Sequence, residues 1–407
     1  EDASSLQLTP IRIATGVRTA SAGLSHTVYI STDGGLWAVG SNSRGELGDG
    51  TTTDRRSPIL IASGVASVAA GSRTSLFVKT DGTLWGMGSN SSGQLGDGTN
   101  QSRTSPVEIA SAVESVSTRN LHSAFVKKDG TLWTTGFNGS GQLGDGTQTS
   151  RLIPVQVATD VVSVSTGASY STLFIKTDGS LWGMGGDSFA QLPDETSSDA
   201  SIPAQLATGV FSASAGLSHG VLIKNNGRLW AMGDDRWGQA GAGSNTIRTH
   251  PVQIFSEVSN VSSGYRHSLY LKDDGTLWGM GLNSSGQLGD GTEIDKSSPI
   301  LIATDVKSMA AGYAHTLFLK SDETLWAVGS NSEGQLGDGT KTNRATPVQI
   351  ASDVRTLSAG WYSSFYVTNE GTLWATGYNS KGQLGDGTTS EKLTPVPVAT
   401  GVTQISA

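Results

Sequence analysis

Cysteine is absent from the 407-residue chain, which excludes a disulfide framework, a thiolate zinc site and a cysteine nucleophile, and leaves the redox compartment open. Charge is scarce as well: Asp, Glu, Lys and Arg make up 15% of the residues and give a formal net charge of −8. No basic run occurs, so the clustered Lys and Arg on which nucleic-acid affinity draws are missing, and no nucleic-acid partner is expected. No stretch approaches the ~18 to 20 continuous apolar residues of a membrane helix, so no membrane insertion is expected. The start, Glu1-Asp2-Ala3-Ser4-Ser5, has neither an initiator Met nor a basic and apolar leader, as expected of a mature end left by leader removal or of a cloned boundary. What is plentiful is glycine, at 54 positions beside 36% hydrophobic residues. That mixture is too glycine-rich for helical bundles and too apolar in pattern for disorder, and it points to a turn-dense all-β chain.

A Leu-Trp pair recurs at Leu36-Trp37, Leu84-Trp85, Leu132-Trp133, Leu181-Trp182, Leu229-Trp230, Leu277-Trp278, Leu325-Trp326 and Leu373-Trp374, at intervals of 48 residues, with one of 49. Around each pair runs the same ordered text: Pro-Val-x-Ile-Ala, Val-x-Ser-Val-Ser-Ala-Gly, then His-Ser-Leu-Phe-Val-Lys-x-Asp-Gly-Thr-Leu-Trp and Gly-Gln-Leu-Gly-Asp-Gly-Thr. Within one copy, Ser75 to Lys79 reads as a strand, Asp81-Gly82 as a turn and Thr83 to Met87 as a second strand. Val107 to Ala110 and Val113 to Ser117 add two short apolar runs. Four short strands per repeat of about 48 residues is the pattern of a propeller blade. The expected fold is therefore all-β, a single closed propeller domain over 1–407 with eight four-stranded blades; a seven-bladed ring with a displaced repeat is the alternative. Each Trp of the Leu-Trp pairs is expected to fill the space between adjacent blades, with a burial worth roughly 1.5 to 3 kcal/mol, and Trp85→Ala is expected to destabilise the whole fold. Leu8 to Val17 repeats as Leu393 to Val402, so 8–23 and 393–407 are expected to close the ring non-covalently.

The blocks Gly216 to His219, Asp274 to Trp278 and Asn283 to Thr292 resemble the regulator of chromosome condensation repeat, and the resemblance covers nearly the whole chain. It implies a β-propeller, usually of seven blades. The family includes a guanine-nucleotide exchange factor on chromatin, a plant ultraviolet-B receptor and secreted bacterial propellers that inhibit β-lactamases, so the fold leaves the function open. The acidic, Arg-poor composition does not match a chromatin-binding surface. The Gly-x-x-His blocks hold one Trp, Trp361, too few for a Trp-based light receptor. The compact, Cys-free, regular repeat is more similar to the secreted inhibitor-type propellers, and an extracellular or envelope location in a bacterium follows from that resemblance.

Five of the six histidines, His26, His122, His219, His267 and His315, occupy the Gly-x-x-His slot. A residue present once per blade serves the scaffold, and Thr74, Tyr170 and Ser363 read as its hydrogen-bonding replacements. Asp49, Asp97, Asp145, Asp290, Asp338 and Asp386 of the Leu-Gly-Asp-Gly-Thr block are one carboxylate per loop. This is too few for calcium and fits a turn in which Gly supplies positive φ and Asp bonds its own backbone. No Gly-x-Ser-x-Gly, His-Glu-x-x-His or dinucleotide-binding motif occurs, and neither a cofactor nor a metal is expected.

Two windows vary while the frame stays fixed. Between Gly and His lie Leu24, Arg73, Asn120, Tyr265, Arg266, Tyr313, Trp361 and Tyr362; beside the recurring Asn lie Arg44, Phe137, Phe189, Arg236, Trp237, Glu333, Tyr378 and Lys381. Scaffold alone would ask for small polar residues there, as in Ser91-Ser92. The resemblance to inhibitor-type propellers implies that both windows share one face. Trp361, Tyr362, Trp237, Arg236, Tyr265, Arg266, Tyr313, Tyr378, Phe189 and Phe137 are the expected binding residues. Asp187, Asp234, Asp235, Arg236 and Trp237 mark repeats four and five, where the turn text breaks down. The expected activity is non-catalytic binding of another protein. The alternatives are a carbohydrate ligand stacked on Trp361, Trp237 and Tyr378, and an enzyme with a site at the channel mouth, for which no acid, base and nucleophile set is found.

Overall fold

The computed structural model describes residues 14–167, 171–186, 199–215, 219–241, 243, 246 and 248–405. Among them the chain forms eight antiparallel sheets of four strands, each sheet built from strands consecutive in the chain. In blade 1 these are β1 (Val17–Ala22), β2 (His26–Ser31), β3 (Leu36–Gly40) and β4 (Arg55–Ala62); in blade 2 they are β5 (Val65–Ala70), β6 (Thr74–Lys79), β7 (Leu84–Gly88) and β8 (Arg103–Ala110). Blades 3 to 8 repeat the order over 113–158, 161–207, 210–255, 258–303, 306–351 and 354–399. Eight blades, rather than seven with a displaced repeat, is the observed count.

The Asp81-Gly82 turn closes the β6–β7 hairpin with Phe77 opposite Trp85, and Gly82 takes φ +86°. β8 begins at Arg103, four residues before the apolar run at Val107. Its Pro106 costs no ladder bond, because a fourth strand lies at the sheet edge, and a proline there blunts pairing with another chain.

The hydrophobic core lies between neighbouring blades. Val28, Ile30, Leu36 and Leu47 of blade 1 pack on Val65, Phe77 and Met87 of blade 2. The same contact recurs between blades 2 and 3 around Phe125 and between blades 6 and 7 around Phe318. Six Trp of the pairs, Trp85, Trp133, Trp182, Trp278, Trp326 and Trp374, sit at such a contact but do not fill it. Trp85 is half-buried against the cluster while Leu84 is 1% exposed and Phe77 fully buried. The indole lies flat beside the cross-strand aromatic ring, as in Phe125 and Trp133, whose centroids are 6.5 Å apart and whose planes differ by 4°. Its outer face is capped by a lysine, Lys79 over Trp85 at 4.4 Å and Lys127 over Trp133 at 4.7 Å. The indole N–H donates to a turn hydroxyl, Thr83 Oγ1, at 2.9 Å. A side chain with a polar N–H is drawn to the rim, where the bond is available, and the buried wedge is left to Leu and Phe.

Blades 1–4 form one compact unit and blades 5–8 another. Lys392–Ala399, the C-terminal copy of the repeated end text, is the fourth strand of blade 8. Its N-terminal counterpart at 8–13 lies outside the described residues, and the expected closure segment 8–23 is described from residue 14, where β1 opens blade 1.

Candidate binding face

The Gly-x-x-His segment is the turn between the first and second strands of a blade, and its histidine is a structural contact between blades. His26 Nε2 lies 2.9 Å from Ser75 Oγ of the next blade, and that hydroxyl donates to Glu46 O at 2.8 Å. His122 with Thr172 and His315 with Ser364 repeat the arrangement at 3.1 Å. The hydroxyl hydrogen is spent on the carbonyl, so the imidazole donates from Nε2, and burial keeps it neutral. Burial pushes His122 and His315 down to about 4 and lowers His26, the last against the opposing charge of Glu46. His219 has no described side chain.

The glycine of this turn makes room for the ring. A Cβ at Gly312 would stand 2.1 Å from His315 Cε1 and 2.8 Å from Gly360 O of the next blade. Gly312→Ala is expected to cost roughly 1 to 3 kcal/mol through overpacking, read as a lower urea midpoint. Blade 3 shows the alternative: Arg119 stands in the glycine position, pairs in register with His122, and the turn closes through Asn120 at φ +53°. The histidine slot of blade 4 is Ser171 and not Tyr170. Ser171 pairs with Gly185 as His122 does with Gly136, and Gly167 N donates to Ser171 O as Gly23 N does to His26 O. The 49-residue interval therefore arises in this turn, and Tyr170 lies outside the described residues.

The Asp turns are as compact as expected. In blade 2, Asn90 donates through Nδ2 to Asp97 Oδ1 and Thr99 O and accepts from Leu95 N, while Asp97 accepts from Thr99 N and Oγ1. A partner not anticipated from the sequence completes the turn: Arg103 Nε reaches Asp97 Oδ2 at 2.6 Å. Arg55, Arg151, Lys296, Arg344 and Lys392 take the same place in other blades. A basic residue six positions after each turn Asp was the legible signal. Burial alone would raise these carboxyls, but the Thr and Arg or Lys hydrogen bonds outweigh it, and Asp49 and Asp386 fall to about 2. In blade 5, Asp235 takes the Asn place and accepts from Ala240 N, and Asp234 holds Arg236 through two bonds of 2.9 Å. Asp187 lies outside the described residues.

Among the described residues, both variable windows meet at the same end of the blade. The residue after the third strand donates its N–H to the carbonyl just before the histidine slot, as in Phe137 to Leu121, Leu282 to Arg266, Ser330 to Ala314 and Tyr378 to Tyr362. In the unit of blades 5–8 this alignment joins eight of the ten expected residues. Arg236 and Trp237 come from blade 5, Tyr265 and Arg266 from blade 6, Tyr313 from blade 7, and Trp361, Tyr362 and Tyr378 from blade 8. The Arg266 guanidinium lies 5.2 Å from the Trp237 ring centre and 5.0 Å from that of Tyr265. Tyr265 stacks on Tyr313 at 4.3 Å, Tyr313 meets Trp361 at 5.7 Å and Tyr362 at 5.2 Å, and Tyr362 meets Tyr378 edge-on at 6.4 Å. The strip is open to solvent: Trp361 is 72% exposed and Trp237 36%. Burial, then the neighbouring Tyr265, raise the Tyr313 phenol above its ordinary value, with Arg266 opposing. Phe137 sits in blade 3, in the other unit, half-buried over Gly139 of its own loop. Phe189 lies outside the described residues.

A cavity of about 560 Å³ runs along the first strands of blades 1–4. Its hydroxyls stitch blades together: Ser21 Oγ accepts from Ala70 N and Ser117 Oγ from Thr166 N, each at 3.0 Å. Among the described residues no group of three or more His, Asp or Glu is placed to hold a metal.

Residues 110–407 match the RCC1-like domain, and residues 17–46, 65–94, 33–78 and 81–126 match the regulator of chromosome condensation (RCC1) repeat. No curated protein sequence matches the chain. Among solved structures, human WBSCR16 is similar at 23% identity, over 76% of this chain and 88% of that one, with a TM-score of 0.52. Yeast RCC1 (Prp20), solved with Kap60 bound to it, is 18% identical over 79% of this chain and 84% of its own, with a TM-score of 0.52. Prp20p of Saccharomyces cerevisiae, studied for its binding to Gsp1p and histones, is 18% identical over 80% and 88%, again at 0.52. At such identities the likeness concerns the fold.

Proposed function

This chain belongs to the RCC1-like domain family, and we propose on that premise that it is a non-catalytic protein-interaction module whose gripping surface is the turn face of blades 5–8. The observation that carries this reading is the unbroken run of ring and guanidinium contacts from Trp237 to Tyr378 across four blades. Tyr, Trp and Arg are the residues that concentrate binding energy at protein interfaces, and a large exposed indole is costly to leave in water without a use. The yeast relative of similar fold, Prp20, also engages protein partners.

The test is capture of partners on immobilised chain, followed by Trp361→Ala and Trp237→Ala. Trp361→Ala is expected to weaken binding roughly 30-fold, the equivalent of about 2 kcal/mol. Stability should shift by less than about 0.5 kcal/mol, because the removed ring is exposed. Unchanged affinity in both variants would remove this face from consideration. The flat, outward Trp361 ring also supports a second reading, a sugar stacked on it, and competition by free sugars separates the two. A secreted or envelope location and an inhibitor-like role are the finer part of the proposal. They rest on the compact Cys-free repeat, and cell fractionation tests the location.

A further inference from the structure

We infer that the aromatic strip of blades 5–8 takes an acidic segment of its protein partner, with an Asp or Glu carboxylate docked on Arg266 and an apolar neighbour seated on Trp361. The inference rests on the protein-binding reading of this face and goes on to name the chemistry of what binds. The Arg266 guanidinium lies beside two rings, 5.2 Å from the centre of Trp237 and 5.0 Å from that of Tyr265. Rings this near displace water from a guanidinium, while its N–H donors point outward in its own plane. Those in-plane donors match a carboxylate through two parallel bonds.

Among the described residues no carboxylate forms an ion pair with Arg266, whereas Arg236 on the same strip is already neutralised by Asp234. The other cation in the windows of blades 5–8, Lys381 of blade 8, is exposed and likewise forms no ion pair among the described residues. The opposing charges are Glu333 of blade 7, half-buried, whose backbone N–H is tied to Gln335, and Asp235 of blade 5, buried and accepting from Ala240 N. Beside the Trp237 and Tyr265 rings the local charge is that of Arg266, opposite in sign to the net charge of −8. Complementary charge at such a position fixes register and partner choice. The apolar half is supplied by Trp361, 72% exposed and in contact with Tyr313.

The test pans a random dodecapeptide phage library against the full chain and measures the affinity of the enriched peptides for wild type, Arg266→Gln, Arg266→Lys, Trp361→Ala and Trp237→Ala, with a melting temperature for each protein. The expected consensus pairs Asp or Glu with an aliphatic or aromatic residue. Arg266→Gln should weaken binding about tenfold or more, and Arg266→Lys should recover only part of that, because a point charge lacks the fork. Replacing the peptide carboxylate by its amide should cost the same factor in wild type and nothing in Arg266→Gln. Raising salt to about 0.5 M should weaken the wild type and leave Arg266→Gln unaffected. Peptides that need Trp361 but carry no acidic residue, or that bind Arg266→Gln as well as wild type, overturn this inference and leave the binding face standing. Binding unchanged by Trp361→Ala alone overturns this inference; binding unchanged by both Trp361→Ala and Trp237→Ala, enrichment of no peptide, or binding confined to glycans overturns both.

Discussion

Lowering the pH from 7.5 to 4.5 is expected to strip several kcal/mol from the unfolding free energy, well before any carboxylate in the turns is protonated. The cause is the buried, neutral histidines between blades. His122 and His315 sit at about 4 because burial disfavours the imidazolium, while in the unfolded chain each returns to about 6.5. Folding therefore excludes a proton between those two values. Stability is complete above about 6.5, falls as the unfolded state takes up protons on the way down, and levels off below about 4. Each such histidine contributes on the order of 3 kcal/mol to the loss over that window, and His26, also lowered, adds to it. The turn carboxylates act in a separate window. Asp49 and Asp386, held at about 2, contribute stability that is present above about 3.9 and disappears only as the pH falls toward 2. Urea unfolding across the pH range should thus show two steps. His122→Thr, which copies the Thr74 of blade 2, should reduce the slope of the upper step, and equal stability at pH 7.5 and 4.5 would refute the neutral-histidine contact.

Phe125→Ala is expected to cost roughly 3 to 5 kcal/mol, and Trp133→Ala only about 1 to 2 kcal/mol, although Trp is the larger side chain. Phe125 is 1% exposed at the centre of the cluster between blades 2 and 3. Trp133 is half-buried at its rim, stacked on Phe125, capped by Lys127 and hydrogen-bonded to Thr131 Oγ1. Removing Phe125 leaves a cavity with walls from two blades, whereas removing Trp133 opens a surface that water and the lysine stem can cover. Chemical denaturation of both variants decides the order, and a larger loss for Trp133→Ala would restore the indole as the wedge.

The repeat text disclosed the strands because each carries its own apolar run and turn: the hairpin from Ser75 to Met87 appears as β6 and β7. It disclosed the eight blades because the period is nearly constant. It did not disclose where β8 starts, since Arg103 to Pro106 carries no apolar alternation and is held by edge pairing and the Arg103–Asp97 bond. It misplaced the burial of the indoles, because periodicity says that a residue faces a neighbour and not how far it lies from the rim. The blade 4 histidine slot was misassigned to Tyr170, because an insertion in a turn can be located only once strand register is known. The two variable windows were recognisable as variable, but their union needed the backbone bonds from Tyr378 to Tyr362 and Leu282 to Arg266. Contacts across blades, such as Arg266 with Trp237, join residues that no local pattern connects.

The most direct measurement is amide hydrogen exchange on the full chain with and without a captured partner. The account predicts that protection gained on binding concentrates in the turns at 263–267, 311–315 and 359–363 and in the segments at 234–238 and 378–382. Protection confined instead to the outer strands, or to the Asp-Gly turns at the opposite end of the blades, would contradict it.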